Sequence, residues 1–298
     1  MRIATTQYQA TLARSLELNQ TMASRLTQQM ASGKAVMLPS DDPISHVRIS
    51  RLTREEAIID QYRENIGAVK IRLSKNESYL SGMVGDLTKA NDLLVWAADG
   101  GNTPDDLKSM VDSLVAIRDS VLYTANTRDQ EGKYLFSGTM TDTPPIAFDG
   151  ASYSYAGNAG EQKVVVGNGI TQTVNVNAGG VDALLNKLTE AIDALRNTTT
   201  DSSAEPLKGL ISETMTMVQS TQDDLAGKVA KLGGAQNVLA TLDSNHANVS
   251  LSNKSAMTEL GQLDYGVAAS ELSGYNMALQ ATYQSYSKIS NLSLFNVL

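Results

Sequence analysis

The stretch Ile59–Leu94, IDQYRENIGAVKIRLSKNESYLSGMVGDLTKANDLL, decides the fold. Apolar or small residues stand at Ile59, Tyr62, Ile66, Val69, Leu73, Leu80, Met83, Leu87, Ala90 and Leu94, in alternating steps of three and four, with Asn76 as the one polar interruption. A 3–4 repeat sustained this far is an a/d stripe, and at 1.5 Å rise per residue it predicts roughly 54 Å of continuous helix. Pro43 suits a first helical turn, so the helix is expected to begin near Ile44 and run to about Ala98. A globular helix averages about 11–12 residues, so this one reads as a rod element.

C-terminal to it, Asp99-Gly-Gly-Asn102 is a break, and Thr103-Pro-Asp-Asp106 reads as an N-cap, a proline at the first helical position and two acids on the positive helix end. Leu107, Val111, Leu114, Val121 and Ala125 predict a helix to about Gln130, folded back on the first as an antiparallel hairpin. Between Tyr134 and Gly180 the composition turns to Gly, Asn and Thr. Tyr153-Ser-Tyr155 alternates, and Lys163 to Val176 is two strand-like runs about Gly-Asn-Gly, which predicts a small β-domain leaning on the helices. Helix returns over Val181–Arg196. A second long rod helix follows from Ile211, Met215, Val218, Gln222, Leu225, Val229, Leu232, Gln236 and Leu239, through the Gly233-Gly234 pair.

Both ends carry one further heptad stripe each: Leu12, Leu16, Asn19, Ala23, Leu26 and Met30, then Leu272, Tyr275, Leu279, Thr282, Tyr286 and Ile289. Neither buries its stripe alone, so the two are expected to pair. In the last helix Met277, Tyr283, Leu292, Leu294 and Phe295 lie off that line, and a helix apolar on more than one face is buried on more than one side. Residues 265–298 carry only Glu271 and Lys288 as charges, and residues 1–34 carry Arg2, Arg14, Arg25 and Lys34 against Glu17. The expected cover is other copies of the same helices. The fold class is therefore mainly α with a small β-domain: a heptad-patterned rod built from the N- and C-terminal halves, paired terminal helices and a small antiparallel β insertion.

Composition narrows the function. With 42% hydrophobic and 19% charged residues, the chain can pack along most of its 298 residues. Cysteine is absent, which removes disulfides, Cys nucleophiles, zinc ribbons and iron–sulfur clusters together. A net charge of −8 disfavours nucleic acid or an anionic membrane as partner. No apolar run is long enough to span a bilayer, and the start lacks the apolar centre of a secretory signal, so any export is expected to use a route without a cleaved signal. His46 follows a helix start and His246 sits in a polar helical stretch, neither with metal-type spacing. Asp41-Asp42 before Pro43 reads as a helix cap. Ser285-Tyr-Ser-Lys288 fits S-x-x-K but lacks the other motifs of that chemistry, and Gly33-Lys34 lacks the rest of a phosphate loop. No catalytic residue, cofactor or metal is expected.

Particular motifs add a resemblance. Gly33-Lys34 followed by Ser40-Asp41-Asp42-Pro43 resembles the N-terminal signature of the flagellin superfamily, and Ser287-Lys-Ile-Ser-Asn-Leu-Ser-Leu-Phe-Asn-Val-Leu298 resembles its C-terminal signature. Lys231-Leu-Gly-Gly-Ala-Gln-Asn237 is similar to a third element, here with an extra glycine and without its arginine. Tyr134-Leu-Phe136-Ser137-Gly138, with Thr141-Asp-Thr-Pro-Pro-Ile146, is similar to the hook–filament junction family within that superfamily. The resemblance implies a secreted, extracellular structural protein at the hook–filament junction, exported by the flagellar type III route, with bulk flagellin as the alternative reading. It implies an inner-tube domain from residues 1–42 and 262–298, a helical rod from 43–133 and 181–261, and an outer β-domain at 134–180. The implied partners are another hook-associated protein, flagellin, a ring of its own copies, and a cytosolic export chaperone on the C-terminal helix. The residues expected at subunit contacts are Leu12, Leu16, Ala23, Leu26, Met30, Leu272, Tyr275, Leu279, Tyr283, Tyr286, Ile289, Leu292, Leu294 and Phe295.

Overall fold

The structure is a computed structural model. It describes residues 2–295, with side chains described from 7 to 288. The chain runs α1 (Arg2–Ser32), α2 (Pro43–Ala97), α3 (Pro104–Ser109), α4 (Val111–Ala125), β1 (Ile146–Phe148), β2 (Tyr153–Tyr155), β3 (Lys163–Gly167), β4 (Ile170–Thr173), α5 (Val181–Asn197), α6 (Leu207–Gly261) and α7 (Tyr265–Phe295). The mainly α class with a small antiparallel β insertion is what the periodicity indicates. Two compact units emerge: Met1–Ile58 with Asn248–Leu298, and Ile59–Ala247. The division falls within α2 and α6, each 55 residues long.

In the 59–247 unit, the stripe read from the sequence is the buried line of α2: Ile66, Val69, Leu73, Leu80, Met83, Leu87, Ala90 and Leu94 are all buried. Asn76 is buried with them and donates to the Val174 carbonyl at 3.4 Å. Against this line lies α6, running antiparallel. Arg63 meets Asp243 at 2.9 Å, the Gln236 amide donates to Glu77 at 2.6 Å, and the Gln222 amide donates to the Thr88 hydroxyl at 3.0 Å. The helices α4 and α5 complete the packing. The Ser120 hydroxyl donates to Asp86 of α2 at 2.6 Å, and Lys187 of α5 meets Glu213 of α6 at 2.7 Å.

Two helical expectations need correction. The helix expected from Thr103 to Gln130 is two helices that meet at the buried Met110, whose N–H bonds the Leu107 carbonyl three residues back. It ends at Ala125: Asn126 leaves helical backbone angles (φ −93°, ψ 21°) while its N–H still bonds the Leu122 carbonyl, and its side chain ties this end to the next strand, the amide donating to the Ile146 carbonyl and the oxygen accepting the Ile146 N–H, both at 3.0 Å. In α6 the buried line takes in Thr214 and Thr221, whereas Met215 and Gln222 sit beside it half-buried. The buried face keeps Ile211, Val218, Leu225, Leu232 and Leu239 of the stripe and takes its intervening positions one residue earlier, at Thr214 and Thr221. Each threonine hydroxyl is satisfied by the carbonyl four residues back, at Leu210 and Met217.

The β region is two two-stranded antiparallel sheets, β1–β2 and β3–β4. Strand β1 has no alternating signal of its own in the sequence; it forms opposite β2 in the register Ile146↔Tyr155. Both edges of this sheet are closed by side chains. Asn126 pairs with Ile146 on β1, while Asn186 of α5 pairs with Tyr153 and Asp182 accepts the Tyr155 N–H on β2. Such caps remove the unpaired groups that make edge strands prone to association. The hairpin β3–β4 is held on α2 and α6: the Asn65 amide donates to the Val165 carbonyl at 2.8 Å, and His246 Nε2 lies 2.9 Å from the Val166 carbonyl while its ring packs on Tyr62.

Candidate assembly interface

In the unit formed by residues 1–58 and 248–298, α1 and α7 pack antiparallel. The end of α1 meets the start of α7, where the Tyr265 hydroxyl donates to the Met30 carbonyl at 3.0 Å. Gly33 turns the chain with φ +69°, and a Cβ there would lie 3.3 Å from that same hydroxyl, so this position favours glycine twice over. Lys34 bridges to Gln262, Ala35 N–H donates to the Gly261 carbonyl at 2.8 Å, and Leu263 N–H donates to the Gly33 carbonyl at 3.1 Å. The buried Gln29 donates its amide to the Ala35 carbonyl at 2.6 Å.

The acidic pair before Pro43 divides its work. Asp42 caps α2 by accepting the Ile44 and Ser45 N–H groups at 3.0 and 3.1 Å. Asp41 braces the preceding loop: one oxygen accepts the Leu38 and Met37 N–H groups, each at 2.9 Å, and the other meets Arg25 of α1 at 2.7 Å. The Leu38 and Met37 N–H groups, with Arg25 beside them, hold the Asp41 carboxyl below its ordinary range, and bonds from Ser45 do the same for Asp42. Asp264 caps α7 in the same way through Gly266 and Val267. Ser40 is exposed in the loop between α1 and α2.

Further along α2, Glu56 is buried against α6. Its carboxylate accepts the Ser250 hydroxyl at 2.7 Å and meets Lys254 at 3.3 Å. Burial pushes this carboxyl up, but the Ser250 and Lys254 donors outweigh it and leave the group lowered. Nothing in the heptad pattern singles out Glu56, because its partners lie some 200 residues away in the chain.

The expected contact residues fall into two groups. Leu12, Leu16, Ala23, Leu26 and Met30 of α1 and Leu272, Tyr275 and Leu279 of α7 lie buried or half-buried along the line where the two helices meet. Tyr283 and Tyr286 are exposed, at 54% and 45%, as are Met277 and Val267 on α7 and Tyr8 and Leu18 on α1. Tyr286 belongs to the stripe by spacing, yet a single partner helix does not cover it. Ile289, Leu292, Leu294 and Phe295 lie outside the described side chains. The pair buries one line per helix and leaves Val267, Met277, Tyr283 and Tyr286 of α7 exposed.

The Tyr134–Gly138 motif belongs to the other unit, where it anchors the β region. Phe136 is fully buried and meets Tyr79 of α2 edge to face at 6.5 Å. Tyr134 lies under the Arg128 guanidinium, 4.4 Å from its ring centroid. Ser137 is buried, and Gly138, at φ +74°, comes so close to Asn158 that an added Cβ would lie 2.1 Å from its carbonyl oxygen. Among the described residues no group of three or more His, Asp or Glu is placed to hold a metal ion, and no helix is long and apolar enough to cross a membrane.

The bacterial flagellin N-terminal helical region, as a sequence family, matches residues 3–141. Flagellar hook-associated protein 3 of Salmonella typhimurium is 30% identical over 92% of each chain, and the protein of that name in Escherichia coli is 28% identical over 91% of each. A solved structure described as a flagellar hook-associated protein of Vibrio parahaemolyticus is 28% identical, with a TM-score of 0.69, covering 74% of this chain and 100% of that one. Identity at this level along nearly the whole length, together with the matching long helices and flagellin-type N-terminal region, places the chain in the flagellar hook-associated protein 3 family of the flagellin superfamily.

Proposed function

We propose that this chain is a structural junction subunit of the bacterial flagellum, linking another hook-associated protein to the flagellin filament. The observation that carries the reading is the apolar surface left on α7, with Val267, Met277, Tyr283 and Tyr286 exposed on a helix that already packs on α1. Family membership supports a flagellin-like structural role at the flagellum. Residues 1–42 and 262–298 act as the inner-tube domain, 43–133 and 181–261 as the rod, and 134–180 as the outer β-domain. The subunits leave the cell by type III export and form a ring of copies. A cytosolic chaperone covers the C-terminal helix before export. The protein works by binding and shape, with no chemical step of its own.

Energetics set the terms of assembly. Ordering a residue costs about 1–2 kcal/mol of backbone entropy, so terminal helices are held by assembly only if large apolar groups are buried with them. A Leu or Tyr side chain buried between subunits contributes about 2 kcal/mol at roughly 25 cal/mol per Å². The deciding experiment is a deletion strain complemented with Leu279→Asp. Deletion is expected to leave hooks without filaments and release unpolymerised flagellin, and Leu279→Asp is expected to fold in its 59–247 unit yet fail to restore filaments. Normal motility with either would refute the reading.

A further inference from the structure

Strands β3 and β4 are joined by Asn168 and Gly169 alone. Asn168 is the only asparagine of the chain that precedes a glycine. Both residues are exposed, as are Ile170 and Thr171 after them. Gly169 holds φ +70°, and nothing lies within 4 Å of the place a Cβ would take, so the tip of the hairpin has open space around it.

The other asparagines of the β region are held by their side chains. Asn158 Oδ1 accepts the Thr139 and Gly160 N–H groups at 2.8 and 3.0 Å, and its amide donates to the Thr139 hydroxyl at 2.8 Å. Asn175 accepts the Gln162 N–H and donates to the Gly160 carbonyl, each at 2.8 Å. Asn177 accepts the Gly179 N–H at 3.2 Å. Among the described residues, neither the Asn168 side chain nor the Gly169 N–H has such a partner. An asparagine side-chain carbonyl and the backbone nitrogen that follows it can close a five-membered ring. A following side chain hinders that approach, and glycine has none.

We propose that Asn168 is a site of spontaneous deamidation, a covalent modification that the fold leaves open at the β3–β4 tip. The Gly169 N–H gives its proton to solvent hydroxide, and its nitrogen bonds to the carbonyl carbon of the Asn168 side chain. The bond from that carbon to the amide nitrogen breaks, and ammonia leaves with a proton taken from water, which regenerates the hydroxide. Water then opens the ring. Addition at the side-chain carbonyl gives aspartate, and addition at the backbone carbonyl gives isoaspartate, with the main chain now running through the side-chain methylene. No oxidant or reductant takes part. Either product takes the net charge from −8 to −9. Isoaspartate also lengthens the main chain between Gly167 and Ile170, which face each other at the end of the hairpin. The bonds from Asn65 to Val165 and from His246 to Val166 lie behind that pair, so the loosening stays at the tip.

The test uses the full-length protein, aged at mildly alkaline pH and digested under mildly acidic conditions, where the reaction is slow. The stretch between Lys163 and Lys187 has no other Lys or Arg, so one tryptic peptide carries Asn168, Asn175, Asn177 and Asn186 together. Fragmentation of that peptide is expected to show a gain of about one mass unit at Asn168, formed about tenfold faster or more than at the other three. An isoaspartate-specific methylation assay should label the same peptide. Asn168→Gln places the amide one carbon further from the Gly169 nitrogen, and is expected to abolish both the gain at this position and the acidic isoform on isoelectric focusing. Hydrogen exchange of the Ile170 amide should quicken in aged protein while the amides of α2 between Leu73 and Leu87 keep their protection. Conversion at Asn168 no faster than at Asn177, or an acidic isoform that persists undiminished in Asn168→Gln, overturns the proposal. Unchanged exchange at Ile170 in protein carrying isoaspartate overturns the loosening of the tip.

Discussion

The side-chain amide of Asn186 exchanges two hydrogen bonds with the backbone of Tyr153, accepting its N–H at 2.7 Å and donating to its carbonyl at 2.8 Å. A residue of α5 thereby does the work of a neighbouring strand for β2, and Asn126 does the same for β1 from the end of α4. A two-stranded sheet of three-residue strands is marginal by itself, so these amides are what hold it to the helices.

Asn186→Ala is therefore expected to cost about 1–3 kcal/mol, since it leaves buried backbone groups of β2 without partners. Chemical denaturation checks the magnitude, and hydrogen exchange locates it: the amide of Tyr153 should lose protection while those of α2 between Leu73 and Leu87 keep theirs.

Gly138→Ala is expected to be more damaging, by about 3 kcal/mol or more. The new Cβ would sit 2.1 Å from the Asn158 carbonyl at a backbone angle of φ +74° that alanine rarely adopts. Loss of soluble protein or of the thermal transition would agree with this, and a transition unchanged from the parent would not.

Gly233→Ala with Gly234→Ala should act in the opposite direction. Both glycines lie inside α6, and a Cβ at either meets nothing within 4 Å. Each exchange is expected to add about 0.5–1 kcal/mol by removing backbone freedom from the unfolded chain. A raised thermal midpoint of the monomer is the measurement.

Acid should loosen the unit formed by residues 1–58 and 248–298. The carboxyls of Asp41, Asp42 and Glu56 are all lowered in the folded state. Their contribution is fully present above the unfolded value of about 4 and is lost as pH falls through the lower folded values. NMR signals of residues 33–45 are expected to shift and broaden below about pH 4, and Asp41→Asn should flatten part of that dependence while weakening the loop at neutral pH.

Much of this architecture was readable from the chain. The stripe from Ile59 to Leu94, the cap at Thr103, the hairpin about Gly167 to Gly169 and the two terminal heptads are local patterns, and local spacing selects local backbone. The junction at Met110 and the end of α4 at Ala125 were not readable from the heptad spacing, which runs through both, and the side-chain bonds of Asn126 reach Ile146, 20 residues further on. The polar group around Glu56 was likewise hidden, since Ser250 and Lys254 reach it only when α6 folds alongside α2. Among the contact residues, the pairing line of α1 and α7 follows from spacing, but which side of α7 stays open follows from there being one partner helix in this chain.

By itself the sequence determined where helices run, which faces are apolar, and which chemistries are closed to a chain with no cysteine and two isolated histidines. Only the tertiary structure decided which residues close the edges of β1–β2, which of two acids caps α2 and which braces its loop, and how Ser250 and Lys254 come to meet Glu56. The physical reason is range. Periodicity and capping act over a few residues, whereas hydrogen-bond satisfaction and surface complementarity join segments far apart in the chain, whose meeting is set by packing.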